Sequence, residues 1–330
     1  MNQKMPQSAI DEATRQIDCG LILGGVIGSN RFPPVALGLQ GTTPIERPMT
    51  IDSRFDLASA AKTFTSAAAA LLCVDGKLDI DAPFTEYLPE HVLGKKCDIT
   101  VRDLAMHVGG FDNSKPYESP DMEVFQRELF AKKPVWPRHD RFEYACYNFI
   151  LLGKIVERIS GKRLDEFCRE RIWTPLGMTR TSWDPQTDDG HVVEFFVPQR
   201  PIGQHNDNTC FYCPFPMGNG SAFAPIGDML LFLQELLERK HYPAAFYDLL
   251  FTCAYEKDGA RRSFGWDMTR ASHSPIISDA AIYHSGWTGQ TILVDPKSDF
   301  CAAVLTSRLG DWQEAFDGRM KIIELMKAAQ

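Results

Sequence analysis

Residues 49–76 read MTIDSRFDLASAAKTFTSAAAALLCVDG, and from Ser59 onward the stretch has the apolar spacing of a helix that stops at Asp75-Gly76, where glycine readily takes the left-handed conformation of a helix end. Ser59 and Lys62 form the only Ser-x-x-Lys in the chain. On a helix such residues share a face, about 5 to 6 Å apart at Cβ, so the amine reaches the hydroxyl. A serine alcohol attacks a carbonyl only when a neighbour takes its proton. Lysine is that base when burial or the positive potential of a helix N-terminus depresses its pKa, and a depressed Lys62 is the expectation here. A chain of this length contains on the order of one such tetrapeptide by chance, so the surrounding text decides.

Working outward, residues 8–18 read as a first helix with Ser8 at its N-cap and a stop near Gly20. Residues 21–27 and 34–39 read as two strands joined by a Gly-Ser-Asn turn, a hairpin. Beyond the Ser59 helix, Thr100 opens another helix with a Thr-x-x-Asp box, residues 148–160 have helical spacing ending at Gly161, and residues 227–237 have it again. Strand patterns return at 280–285, 290–294 and 300–306, and an amphipathic helix closes the chain at 311–328. Strands at both ends around a helical centre predict an α+β protein: an antiparallel sheet of about five strands built from both chain ends and flanked by helices, with a mostly helical domain inserted. The expected division is 1–58 plus 255–330 for the sheet domain and 59–254 for the helical one, with the active site between them.

Composition narrows the function classes. The 330 residues carry 35 basic and 43 acidic side chains, a net charge of −8, with no basic block long enough to track a phosphate backbone, so nucleic acid is not an expected partner. The longest apolar run, residues 67–74, is too short to span a bilayer, and the polar N-terminus lacks the pattern of a secretory signal. Nine cysteines, an odd number, several in apolar text, predict reduced thiols and a cytoplasmic location rather than a disulfide framework. Cys210 and Cys213 with His205 supply three candidate metal ligands, but no second Cys-x-x-Cys completes a set, and the segment reads as a thiol-bearing loop.

The text around Ser59 continues as DGKLDIDAP (75–83), YLP (87–89), ITVRDLAMHVGG (99–110), LLGKIVERISG (151–161), WTPLGM (173–178) and GWTG (286–289). In this order the segments resemble the β-lactamase-related serine hydrolases, a family that includes class C β-lactamases, D-alanyl-D-alanine carboxypeptidases, D-aminopeptidases and type VIII-like esterases. The resemblance runs from about residue 20 to 308 and implies the β-lactamase/transpeptidase-like fold. It implies that Ser59 is the nucleophile and Lys62 its base. Tyr144 matches the family tyrosine that shuttles protons with the lysine and protonates the leaving group, a role that calls for a phenol of depressed pKa.

Two positions depart from the family pattern. Cys146 stands where asparagine is usual, and a thiol is a weak donor and acceptor in place of an amide that orients the lysine and binds the substrate's acylamide. His284-Ser285-Gly286 stands where many relatives have Lys-Thr-Gly, similar to the His-x-Gly of D-aminopeptidase-like members; His284 is expected to hold a carboxylate when cationic or to relay a proton. The backbone N–H of Trp287 pairs by the same analogy with that of Ser59 as an oxyanion hole, with Ser285, Gly286 and Cys146 beside the substrate. His107 reads as structural, the glycine-rich segment 218–223 with Ser221 as the lead-in to a helix, and residues 205–208 as a possible wall of the cleft.

The expectation is therefore a serine hydrolase acting through an acyl-enzyme on small carboxylic esters or D-amino-acid amides and peptides, weak on β-lactams, needing no metal or organic cofactor, in an oligomeric state the sequence leaves open. Its competitors are a non-catalytic binding protein of the same fold, a β-lactamase or D,D-peptidase proper, a Ser-His-Asp hydrolase with His284 as base, and a Cys146 nucleophile.

Overall fold

Alternation along one strand organises the molecule. In Phe300–Arg308 every residue is buried; Cys301, Ala303 and Leu305 join one apolar cluster and Phe300, Ala302 and Val304 another. Side chains of a strand alternate between faces, so this strand has a core on each side of it.

The computed structural model describes residues 3–185, 190–213, 215–220, 222–269 and 274–329. The chain begins with α1 (Gln7–Asp18), β1 (Ile22–Ser29), β2 (Val35–Gly41), β3 (Arg47–Pro48) and β4 (Phe55–Asp56). There follow α2 (Lys62–Val74), α3 (Val101–Met106), α4 (Met122–Ala131), α5 (Cys146–Ser160), α6 (Leu164–Cys168) and α7 (Asn208–Tyr212). Next come β5 (Phe223–Ala224), α8 (Ile226–Glu238), α9 (Ala244–Phe251), β6 (Tyr255–Lys257), β7 (Ala260–Ser263) and β8 (Trp266–Asp267). The chain ends with β9 (Ile282–Gly286), β10 (Gln290–Asp295), β11 (Phe300–Arg308) and α10 (Trp312–Ala328).

Among the described residues the main sheet has nine strands, in the order β3-β2-β1-β11-β10-β9-β8-β7-β6, and its pairs are antiparallel. The expectation of about five strands is too low. The additional strands, β3 and β6–β8, have two to four residues each and sequences such as Ala-Arg-Arg-Ser, too short and too polar to show a period of two. α1 and α10 cover one face of the sheet and α8 the other. The first helix begins at Gln7 after Pro6 with no side-chain cap, so Ser8 is not its N-cap. The box at Thr100 forms as expected, with Thr100 accepting from Asp103 N–H and Asp103 accepting in return from Thr100 N–H.

α2 is the axis of the helical region. Every residue from Lys62 to Leu72 is buried, and the methyl-only run Ala67–Ala70 lets α5 and α9 pack closely on it. Ser59 precedes it in a 3₁₀ turn, Ala58–Ala61, so the expected helix from Ser59 starts with a tighter turn. The two-stranded pair β4–β5 and the Leu57 N–H to Ala222 O bond fix the approach to that turn. Ser221 lies outside the described residues. No described helix is long and apolar enough to cross a membrane.

Candidate active site

Lys62, in the first turn of α2, is fully buried, and its amine donates to Ser59 Oγ at 2.9 Å and to the Asn219 carbonyl at 2.5 Å, with Cys146 Sγ at 3.7 Å. The Asn219 carbonyl reaches it because Gly218 lies against α5, where a Cβ would come within 2.0 Å of the Phe149 carbonyl. The glycine-rich segment thus presents a backbone acceptor to the lysine. The Tyr144 ring stands 5.1 Å from the Lys62 amine, and its hydroxyl interacts with both Lys62 and Ser59.

The protonation of this trio differs from the expectation. Burial disfavours a charged Lys62, but its interactions with the facing Cys146 and Tyr144 groups and with Asp207 outweigh this and raise the amine above the ordinary lysine range. Tyr144 is raised as well, because burial exceeds the stabilisation of its phenolate by Lys62. Both depressed values read from the sequence are therefore corrected. The cause is in the fold: a cation enclosed with acceptors keeps its proton.

His284, on β9, is buried, and burial together with Lys62 lowers its pKa to about 3. Its Nδ1 lies 3.0 Å from the Ser285 carbonyl, which only accepts, so the neutral ring carries its proton there and presents Nε2 as an acceptor. A cationic His284 that holds a carboxylate is thereby corrected to a neutral one. Its Nδ1 partner is a carbonyl, not the carboxylate that would orient the base of a Ser-His-Asp triad.

Two arms of one cleft meet at Ser59, Asn113, Tyr144 and Trp287. The first, about 430 Å³, is walled by the rings of Phe142, Tyr283 and Trp312 beside His284 and Ser285. Its floor charges cancel, since Arg262 pairs with Asp267 at 2.7 Å and stacks 3.9 Å from the Phe142 ring centre. The second arm, about 310 Å³, is polar, with Lys115, Cys146, Asn206, Asp207, Asn208 and Asn219 on its walls. Lys115 bridges Asp207 at 3.0 Å and Glu118 at 3.1 Å, and although burial opposes its charge, Lys115 is foremost in holding the Asp207 carboxyl below the usual carboxylate range.

Ser285 lines the aromatic arm. Gly286 does not line either arm; it lies against the Ser59 turn, where a Cβ would be 2.5 Å from the Leu57 carbonyl. Trp287 is half-exposed and fixed from both sides: its indole N–H donates to the Val197 carbonyl at 3.0 Å, and its own carbonyl accepts from Arg308 Nε at 2.8 Å. Cys146, at the start of α5, donates its backbone N–H to Asn113 Oδ1 at 3.0 Å. His107 accepts from the Ala145 N–H at 3.2 Å and lies 4.6 Å from the Tyr144 ring, so it supports the tyrosine from behind.

Of residues 205–208, the last three line the polar arm, while His205 is enclosed by the Trp183 and Phe223 rings at 4.4 and 5.1 Å. The Cys210 thiol lies 3.7 Å from Asn219 Oδ1. Sequence reading placed residues 205–208 near the cleft but missed Asn113, Lys115 as the partner of Asp207, and the Arg262–Asp267 pair. Asn113 and Lys115 meet the site through residues distant in the chain, and Arg262 and Asp267 lie on strands too short to be read.

The family model described as Beta-lactamase matches residues 38–327. A putative D-alanyl-D-alanine carboxypeptidase of Escherichia coli (strain K12) is 26% identical over 317 residues, covering 81% of this chain and 72% of its own. Two solved structures share the fold: EstCE1, a hydrolase with promiscuous acyltransferase activity, at TM-score 0.82 and 18% identity with 98% of each chain covered, and a class C β-lactamase at 0.83 and 16%, covering 98% of this chain and 95% of that one. The match to the family model extends through both the sheet and the helices around Ser59, and the chain belongs to the β-lactamase family.

Proposed function

We propose that this protein is a serine hydrolase that forms an acyl-enzyme on Ser59, with small uncharged carboxylic esters as its preferred substrates and small amides or peptides as slower ones. The observation that carries the reading is the 2.9 Å bond between Lys62 Nζ and Ser59 Oγ, with the Tyr144 ring 5.1 Å from the same amine. Ser59 Oγ attacks the carbonyl carbon, and its proton passes into the Lys62–Tyr144 pair. The backbone N–H groups of Ser59 and Trp287 receive the charge that develops on the carbonyl oxygen. Tyr144 returns the proton to the leaving oxygen or nitrogen as the bond to the acyl carbon breaks, and water then releases the acid. Because Lys62 and Tyr144 both hold their protons at rest, the reactive form is the one from which a proton has left, and the titration belongs to the pair.

The choice of ester rests on the aromatic arm, where His284 is neutral and the Arg262 guanidinium is already paired with Asp267. The names of the relatives, a putative carboxypeptidase and a hydrolase with promiscuous acyltransferase activity, share acyl transfer as their chemistry and leave the acceptor open. The test is hydrolysis of p-nitrophenyl acetate and butyrate by wild type and Ser59→Ala, together with fluorophosphonate labelling and peptide mapping. The expected result is a label on Ser59 and loss of turnover in the variant. Equal turnover, or a label elsewhere, overturns the reading.

A further inference from the structure

Asp56 is fully buried at the junction of three segments that shape the cleft, and no step of the proposed reaction uses it. Its Oδ1 accepts from the Ala58 N–H at 2.8 Å and its Oδ2 from the Asn206 N–H at 2.8 Å, across 150 residues. Its backbone carbonyl accepts from the Thr288 hydroxyl at 2.9 Å. Ala58, immediately before Ser59, has φ 45°, a left-handed conformation that a Cβ disfavours, so this turn needs an external hold. Asn206 opens the wall of the polar arm, and Thr288 follows the Trp287 amide. A carboxylate offers one strong acceptor oxygen to each of two N–H groups, which a carboxamide cannot.

We infer that Asp56 is the positioning residue of the acyl-transfer site, its ionised carboxylate holding the Ser59 turn and the 206–208 wall in register while its carbonyl anchors the Trp287 turn. The inference rests on the reading of Ser59 as the nucleophile. Burial, with the Asp207 charge adding to it, pushes the Asp56 carboxyl up to about 6, although the two N–H groups favour its ionised form. Other titratable groups at this junction lie outside that window: Asp207 is held low with Lys115 as the main stabiliser, His205 and His284 are lowered by burial to about 4 and 3, and Lys62 is raised. Below pH about 6, Asp56 takes a proton and one N–H loses its full acceptor. Asp56→Asn reproduces that state at every pH.

The test compares wild type, Asp56→Asn and Thr288→Val for p-nitrophenyl butyrate kinetics from pH 5 to 9, fluorophosphonate labelling rate and melting temperature. Misplacing a nucleophile by about an ångström costs on the order of 100-fold, so Asp56→Asn is expected to lower kcat by about 10- to 100-fold at pH 8 with KM little changed. It is expected to label Ser59 more slowly, to melt no lower than wild type because a buried charge has been removed, and to converge with wild type as pH falls through 6. Thr288→Val is expected to lose less activity and keep the inflection near pH 6, and it carries the test if Asp56→Asn does not fold. Wild-type kcat at pH 8 in Asp56→Asn, or activity and melting temperature falling together at every pH, overturns the assignment, as does loss of the inflection in Thr288→Val. A wild type that fluorophosphonate does not label at Ser59 overturns the proposed function itself, and the assignment with it.

Discussion

The Cys146 thiol faces the Lys62 amine at 3.7 Å, on the wall of the polar arm of the cleft. Cys146→Asn replaces a weak acceptor with a strong one and adds two N–H donors. Hydrolysis of the β-lactam nitrocefin is expected to rise by about tenfold, the equivalent of one good hydrogen bond, while p-nitrophenyl butyrate turnover changes by less than about threefold. Unchanged nitrocefin hydrolysis would show that the thiol does not limit lactam turnover.

Under the proposed acyl transfer, the raised Lys62 and Tyr144 predict a pH dependence. Both groups are protonated near neutrality, and the form able to accept the Ser59 proton grows as protons leave the pair. kcat/KM for a neutral ester is therefore expected to climb through pH 8 and 9. Tyr144→Phe removes the hydroxyl that interacts with both partners and is expected to lower kcat by about 100-fold or more. A plateau already reached at pH 7 would contradict this proton inventory.

Charge balance in the aromatic arm predicts a change in selectivity. Asp267→Asn leaves Arg262 without the carboxylate that it meets at 2.7 Å. The variant is expected to favour an ester with a carboxylate on its leaving group over a neutral one by about tenfold relative to wild type, the worth of one charge-assisted hydrogen bond. The ratio of kcat/KM values for the two esters is the readout, and an unchanged ratio would remove Arg262 from substrate discrimination.

Gly218→Ala tests the backbone carbonyl on Lys62. The added methyl meets the Phe149 carbonyl within 2.0 Å, so the 218–220 segment must move away from α5. Overpacking of this kind costs about 1 to 3 kcal/mol, to be read as a lower denaturation midpoint, and ester turnover is expected to fall along with it as the Asn219 carbonyl leaves the lysine.

The legibility of the protein in its sequence follows the range of the forces involved. β1, β2 and β9–β11 are long enough to show a strand pattern, and α5 and α8 show helical spacing, so these elements and the antiparallel sheet could be read. β6–β8 could not, because strands of two to four residues gain their stability from neighbours in the sheet. The proximity of Ser59 and Lys62 follows from their spacing alone. The proton affinity of Lys62 does not, since it depends on Cys146, which is 84 residues away. Asp56 was hidden for the same reason: a carboxylate between Phe55 and Leu57 looks like a solvent-facing strand residue, and only the fold brings Asn206 onto it.

α2 carries Lys62 in its first turn and four consecutive buried alanines behind it, a surface on which larger side chains have no room. The walls of the cleft come from elsewhere, from the segments at 113–115, 206–208 and 283–287. Substitutions in these segments therefore reshape the cleft without disturbing the packing of α2. Rigidity and accommodation are thus assigned to different stretches of the chain.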